Sequence, residues 1–177
     1  MRQVQEGEVA QAALLFERHH VAVFRYLLRL SGNRALSEDL AQEVFFRVIK
    51  HAKSYDASRT FTVWLYGIAR NAYFDSHRKL RREVTDDPLR EAKSSEPMPE
   101  ELAARTQDVK FLQEALRLLP EDKREVLILS RFQNLRYDEI ARVLECEVGA
   151  VKTRMYRALK ELRQRFCELR GERVYDV

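Results

Sequence analysis

Apolar residues recur along this chain at three- and four-residue intervals and almost nowhere in strict alternation, so the pattern predicts helices rather than strands. Residues 8 to 30 carry Val9, Ala13, Phe16, Val23, Phe24, Leu27 and Leu28, and Gly32 is placed to stop that helix. Asn33 or Ser37 can cap the next, which runs to about His51 with Leu36, Leu40, Val44 and Val48 as its inward stripe. After a loop from Ser54 to Thr60, Leu65, Ile68, Ala69 and Ala72 mark a third helix from about Phe61 to Arg82. Between about Glu83 and Thr106 the periodicity disappears into a stretch rich in Pro, Ser and acids, which reads as a flexible linker. It resumes with Asp108 as a candidate N-cap and Val109, Leu112, Leu116 and Leu119 as a core face. Pro120 breaks that helix and opens another at about Glu121, because proline fits a first turn but not an interior. Asn134, which tolerates a left-handed backbone, is placed to end it.

The last two elements form a recognisable unit. Tyr137 to Leu144 is a short helix with Ile140, Ala141 and Leu144 inward, followed by a turn at Glu145 to Glu147 and a long final helix. In that helix Val151, Met155, Leu159 and Leu162 fall on one stripe, while Lys152, Thr153, Tyr156 and Arg157 fall on another. Helix, tight turn, helix is the geometry in which a second helix enters the major groove of DNA. Basic and hydroxyl side chains beside an aromatic suit phosphate and base-edge contacts, and Gly149 at the helix start lets backbone N–H groups approach a phosphate. The competing reading is an ordinary solvated face.

Composition narrows the class. Of only five Gly and four Pro, three prolines (Pro88, Pro97 and Pro99) fall in the linker, so an all-α chain of two small helical domains is expected. No apolar run approaches a membrane span and no signal-peptide pattern follows Met1, so a cytoplasmic protein without membrane insertion is expected. Cys146 and Cys167 are too isolated for a disulfide framework, and His19, His20, His51 and His77 lack metal-ligand spacing, so no metal and no cofactor are expected. The net charge of +4 is unevenly spread: Val148 to Arg170 holds seven bases against two acids, and Glu83 to Gln107 seven acids against three bases. With a basic patch at His77 to Arg82, this suggests contact with polyanion at two separated places.

LPEDKREVLILSRFQNLRYDEIARVLECEVGAVKTRMYRALKELR resembles region 4 of sigma-70-type RNA polymerase sigma factors, in particular the small extracytoplasmic-function (ECF) group. DLAQEVFFRVIKHAKSYDASRTFTVWLYGIARNAYFDSHRK resembles region 2 of the same group. The resemblance implies residues 1–84 as a region 2 domain, 85–106 as a linker and 107–177 as a region 4 domain. It implies a non-enzymatic factor that binds core polymerase through the β′ clamp helices and the β flap, recognises promoter DNA, and is held inactive by an anti-sigma factor. Lys152, Thr153, Arg154, Tyr156 and Arg157 then fall where the family contacts the minus-35 element, and Asp39, Gln42, Glu43 and Phe46 match its polymerase-binding surface. Tyr55 and Asn71 match positions around a flipped minus-10 base, with Arg70, Arg78, Lys79 and Arg82 placed to hold backbone. Two departures stand out: Arg136 replaces the usual Ser or Thr ahead of the first motif helix, and Glu145 replaces a frequent Gly in the turn.

Some readings stay open at this level. Phe46 on a charged face implies a partner or burial against the first helix, and Trp64 implies core or a stacking platform. A response regulator with the same DNA-binding motif would need βα alternation in residues 1 to 82, which lack a strand pattern. An enzyme would need a nucleophile, metal or phosphate-loop constellation, and none is present.

Overall fold

The computed structural model describes Met1, residues 9–86 and residues 107–171. Among them there are seven α-helices and no strand: α1 Val9–Ser31, α2 Arg34–Lys50, α3 Phe61–Asp86, α4 Gln107–Arg117, α5 Glu121–Arg131, α6 Tyr137–Val143 and α7 Val148–Arg170. Helices α1 to α3 belong to one compact unit, and α4, α5, residues 137–141 of α6, and α7 to another. The absence of strands in 9–86 removes the receiver-domain alternative. The acidic linker read between 85 and 106 lies outside the described residues, except for the end of α3, which continues four residues past Arg82 to Asp86.

In the first unit α1 packs on α2, and both pack on α3. Gly32 adopts φ 69°, and its N–H donates to the Leu28 carbonyl, ending α1 as expected. Asn33 is the N-cap of α2, its side-chain oxygen accepting the Leu36 N–H at 3.0 Å. Ser37, the alternative cap, is instead fully buried and donates to the Asn33 carbonyl at 2.6 Å. The core consists of Val23, Tyr26, Leu27, Leu28, Leu30, Leu40, Val44, Phe45, Val48, Val63, Leu65, Tyr66, Ala69, Ala72 and Tyr73. Tyr26, Leu30, Phe45, Tyr66 and Tyr73 were not anticipated. Ala13 and Phe16, read as inward, are exposed rather than buried, although both line an apolar groove against α2 in which the Phe16 ring meets Phe45.

The second unit is built on α5, whose Val126, Leu127, Ile128 and Leu129 are all buried, because α7 and its neighbours cover it on several sides. Pro120 precedes α5 with φ −51° and ψ 145°, and its carbonyl accepts from Lys123 and Arg124, the helix start that proline predisposes. Asn134 takes φ 54°, also as expected. Two apolar positions and one cap are corrected. Leu112 is exposed and Ala115 takes its place in the core, while Asp108 lies inside the first turn of α4 and pairs with Arg170 at 3.3 Å. On α7, Val151, Met155 and Ala158 form the buried stripe, whereas Leu159 is 40% exposed. The spacing of a helix explains this: after i and i+4 the same face returns at i+7, and i+8 has rotated outward.

Both sequence departures show their cost and its compensation. Arg136 has no cap oxygen to offer, yet Glu139, three residues on, accepts the Arg136 N–H at 2.9 Å, so half of a capping box survives. Glu145 sits at φ 52°, one residue beyond Leu144 in the turn after α6, while the Cys146 N–H reaches back to the Ala141 carbonyl at 2.9 Å. That is a Schellman-type stop with a side chain at the position where glycine is unstrained. Replacing Glu145 by Gly is therefore expected to stabilise the second unit by about 1 kcal/mol. Urea denaturation followed by circular dichroism checks this, and an unchanged or lower midpoint would remove the strain argument.

Candidate functional site

Three exposed surfaces carry the residues singled out above. On α2 the spacing i, i+3, i+4, i+7 sets Asp39, Gln42, Glu43 and Phe46 along one stripe. Asp39 and Gln42 are exposed and Phe46 is 62% exposed, so Phe46 is not packed against α1. That inward role belongs to its neighbour Phe45, whose ring meets Phe16 edge-on at 5.0 Å. Glu43 is the half-buried member of the stripe, and its carboxylate accepts from Arg47 Nε at 2.7 Å.

The second surface surrounds the loop between α2 and α3. A pocket of about 220 Å³ is lined by Arg47, His51, Ser54, Trp64, Ile68 and Asn71. The Asn71 side chain is exposed, and Trp64 is half-buried, with its ring 5.1 Å from Tyr55 and 6.1 Å from Phe61. Trp64 is thus neither fully in the core nor fully free: it is half-buried and walls the pocket. Tyr55 is placed differently from its flanking residues: its ring is buried, and its hydroxyl donates to the Arg59 carbonyl at 2.6 Å. It is a strut inside the loop, and the side chains offered to solvent there are those of Ser54, Asp56, Ser58, Arg59 and Thr60. Asp56 tightens the turn by accepting the Ser58 N–H at 2.9 Å.

Farther along α3 are the basic side chains. Arg70 lies over the Phe74 ring at 4.7 Å, and Lys79 is exposed. Arg78 is exposed and donates to Asp75 at 2.5 Å, while Asp75 also accepts from Arg47 at 2.9 Å. The hydrogen bond from Arg47 and then that from Arg78 hold the Asp75 carboxyl below the usual carboxylate range. The bond to Glu43, with that to Asp75, in turn raises Arg47. The Arg82 side chain lies outside the described residues. Arg47 and Asp75 went unnoticed in the sequence. Glu43 to Arg47 at i, i+4 and Asp75 to Arg78 at i, i+3 were readable as helix pairs, but the link between residues 47 and 75 needs the packing of α2 on α3.

The third surface is the outer face of α7. Lys152, Thr153, Tyr156 and Arg157 are exposed, Tyr156 by 70%, and Arg154 is half-buried at the edge of the same face. Thr153 donates its hydroxyl to the Gly149 carbonyl at 3.0 Å, which leaves the oxygen free to accept. The helix starts at Val148 and Gly149, both exposed, after Glu147, whose side chain makes no capping bond. Ala150 and Val151 donate to the Glu147 carbonyl, which leaves the N–H groups of Val148 and Gly149 outside the helical ladder. Ahead of α7, Ile140, Ala141, Val143 and Leu144 are buried, so the short α6 helix turns its apolar side away from solvent.

Among the described residues no cluster of His, Cys, Asp or Glu could hold a metal ion, and no helix is long and apolar enough to cross a membrane. Cys146 and Cys167 are both free and half-buried.

Residues 15–83 match Sigma-70 region 2, and residues 112–162 match Sigma-70, region 4. The chain is 33% identical over 152 residues to the ECF RNA polymerase sigma factor SigE of Mycolicibacterium smegmatis, which takes in 84% of this chain. It spans 59% of the length of SigE. To the ECF RNA polymerase sigma factor SigL of Mycobacterium tuberculosis it is 32% identical over 174 residues, 96% of this chain and 98% of SigL. Among solved structures it is similar to the sigma factor RpoE of Bartonella quintana, crystallised with the anti-sigma factor NepR, with a TM-score of 0.77 and 25% identity over 86% of this chain and 94% of RpoE. With both regions present in the family's order, and each folded as helices that present an exposed polar face, the chain belongs to the ECF group of the sigma-70 family of RNA polymerase sigma factors.

Proposed function

We propose that this chain binds core RNA polymerase, directs initiation at a specific class of promoter, and is held inactive by an anti-sigma factor. The observation that carries this reading is the occurrence, in one chain, of a region 2 and a region 4 match. Residues 1–84 serve as the polymerase-binding and minus-10 unit, 107–177 as the minus-35 unit, and 85–106 join them. Asp39, Gln42, Glu43 and Phe46 dock on the β′ clamp helices, Phe46 supplying an exposed aromatic anchor among polar groups. The second unit contacts the β flap.

Lys152, Thr153, Arg154, Tyr156 and Arg157 read the minus-35 duplex from α7 in the major groove, with the α7 N-terminus against a phosphate. The pocket walled by Trp64, Ile68 and Asn71 accepts an unstacked base of the melted minus-10 element, and Arg70, Arg78 and Lys79 hold the strand. Tyr55 acts from inside, by setting the loop beside that pocket. The factor itself is not an enzyme; bond making belongs to the polymerase. It works in the cytoplasm, where polymerase and promoters are. Control by an anti-sigma factor is supported by RpoE, a relative of the same fold crystallised with one.

Run-off transcription over a promoter library tests the reading. Purified chain added to core polymerase is expected to yield transcripts from a restricted set of promoters, and to bind duplex promoter DNA poorly alone. A chain that shifts duplex DNA tightly without polymerase and yields no transcript with it would overturn the proposal.

A further inference from the structure

Arg136 stands immediately before α6, the first helix of the helix-turn-helix motif, and its carbonyl accepts the Ile140 N–H at 2.8 Å. Folding gives little reason for an arginine there. The side chain offers no oxygen to the orphan N–H groups of the first turn, and its cation sits at the positive end of the helix dipole. The capping bond that is made comes from Glu139, whose carboxylate accepts the Arg136 N–H at 2.9 Å. The guanidinium is 77% exposed, and among the described residues it makes no hydrogen bond; the carboxylates of Asp138 and Glu139 lie 3.9 and 3.8 Å from its Nε. Arg34, Arg47, Arg78 and Arg117, by contrast, each donate to a carboxylate at 3.0 Å or less.

When the second helix of such a motif lies in the major groove, the first crosses the adjoining backbone. With Lys152, Thr153, Tyr156 and Arg157 of α7 turned to the groove, a strand of phosphates passes the start of α6. We propose that the Arg136 side chain is a further DNA-binding residue of the second unit, a clamp on the phosphate backbone beside the groove that α7 enters. It rests on the reading of α7 as the minus-35 helix. A phosphate at this place supplies the bidentate acceptor that the fold withholds from the guanidinium, and it neutralises a charge that is badly placed on the free helix end. The same residue therefore weakens the free fold and strengthens the complex. A backbone contact carries no base information, so it strengthens binding to all upstream sequences alike.

The test uses holoenzyme assembled from core polymerase and the full chain, with the strongest promoter recovered from the run-off library as a labelled duplex, over a range of salt. Arg136→Ser is expected to bind about fivefold more weakly and to reduce the steepness of the salt dependence by about one. Urea unfolding of the free variant is expected to move the other way, to a higher midpoint, because serine supplies the cap oxygen and removes the cation from the helix end. Arg136→Lys keeps the charge and is expected to retain the native salt dependence. Lys110→Ser is the control: it removes an exposed cation from α4, outside the motif, and is expected to leave promoter affinity unchanged. Native affinity and salt dependence in Arg136→Ser would overturn the clamp, and a loss from Arg157→Ala in the same assay would then leave the reading of α7 standing. An Arg136→Ser variant that is less stable than the native chain, or an Arg136→Lys variant that loses as much as Arg136→Ser, would overturn it as well, by tracing the effect to the fold. Undiminished binding in Arg136→Ser, Lys152→Ala and Arg157→Ala together would overturn the reading of α7, and the clamp with it.

Discussion

Affinity for core polymerase is expected to fall roughly a hundredfold when Asp39→Lys, Glu43→Lys and Phe46→Ala are combined, the size of loss that follows removal of an interface anchor with its charged neighbours. Phe46 should supply most of it. An aromatic ring that is 62% exposed has no intramolecular contact to lose in proportion, so its truncation costs the free chain little. The same ring seated in a partner's pocket is worth about 2 kcal/mol or more. The two reversals act mainly on association rate and salt dependence, because Asp39 is exposed and Glu43 only half-buried. Glu43→Lys also places a like charge one turn before Arg47, a local cost of a few tenths of a kcal/mol, about the size of a helix pair. Helix content should therefore hold while binding fails. Competition against a labelled reference factor for core polymerase measures the first, and far-ultraviolet circular dichroism the second. Undiminished polymerase affinity with intact helix content would refute the assignment of the stripe.

The second large effect is expected at Arg157. If its guanidinium reads a base edge, Arg157→Ala should lower transcription from the cognate promoter by about 1–3 kcal/mol, or roughly five- to 150-fold, and relax preference at one position of the upstream element. Lys152→Ala provides the contrast. A phosphate contact carries no sequence information, so its loss should weaken all promoters alike and reduce the steepness of the salt dependence by about one. Both side chains are exposed on α7, away from the buried stripe of Val151, Met155 and Ala158, so neither substitution should alter stability appreciably. A run-off assay across single-base variants of the upstream element, repeated at several salt concentrations, separates the two patterns. Uniform losses of equal size at both positions would show that α7 positions the duplex without Arg157 reading it.

Much of the fold was legible because its signals are local. Gly32, Asn33, Pro120 and Asn134 each act on the backbone within a few residues, and each sits where its conformational preference is used. The inward faces were legible wherever the apolar spacing was unambiguous, as in Leu40, Val44 and Val48. They were misread where a large residue stood beside a small one: Leu159 outweighed Ala158 and Leu112 outweighed Ala115, although rotation about the axis buries the alanines. The burial of Tyr55 was hidden for another reason. In a polar loop no periodicity says which side chain turns in, and its burial depends on Phe61 and Trp64 arriving from the next helix. The bond between Arg47 and Asp75 was hidden in the same way, since 28 residues and a change of helix separate its ends. Exposed faces were the most legible part of the site, because a helix wheel locates them without knowledge of the neighbours.

The inward Tyr55 has a kinetic corollary. A loop whose free side chains hung from a loose backbone would have to be ordered at each encounter, at a cost of about 1–2 kcal/mol for every residue immobilised. Here a phenol wedged between two helix-borne rings and bolted to the Arg59 carbonyl has done that ordering during folding. If a melted strand is captured beside residues 54–60, as proposed, it meets a preset template, and capture should be governed by how fast the duplex opens, with little waiting for the protein to rearrange.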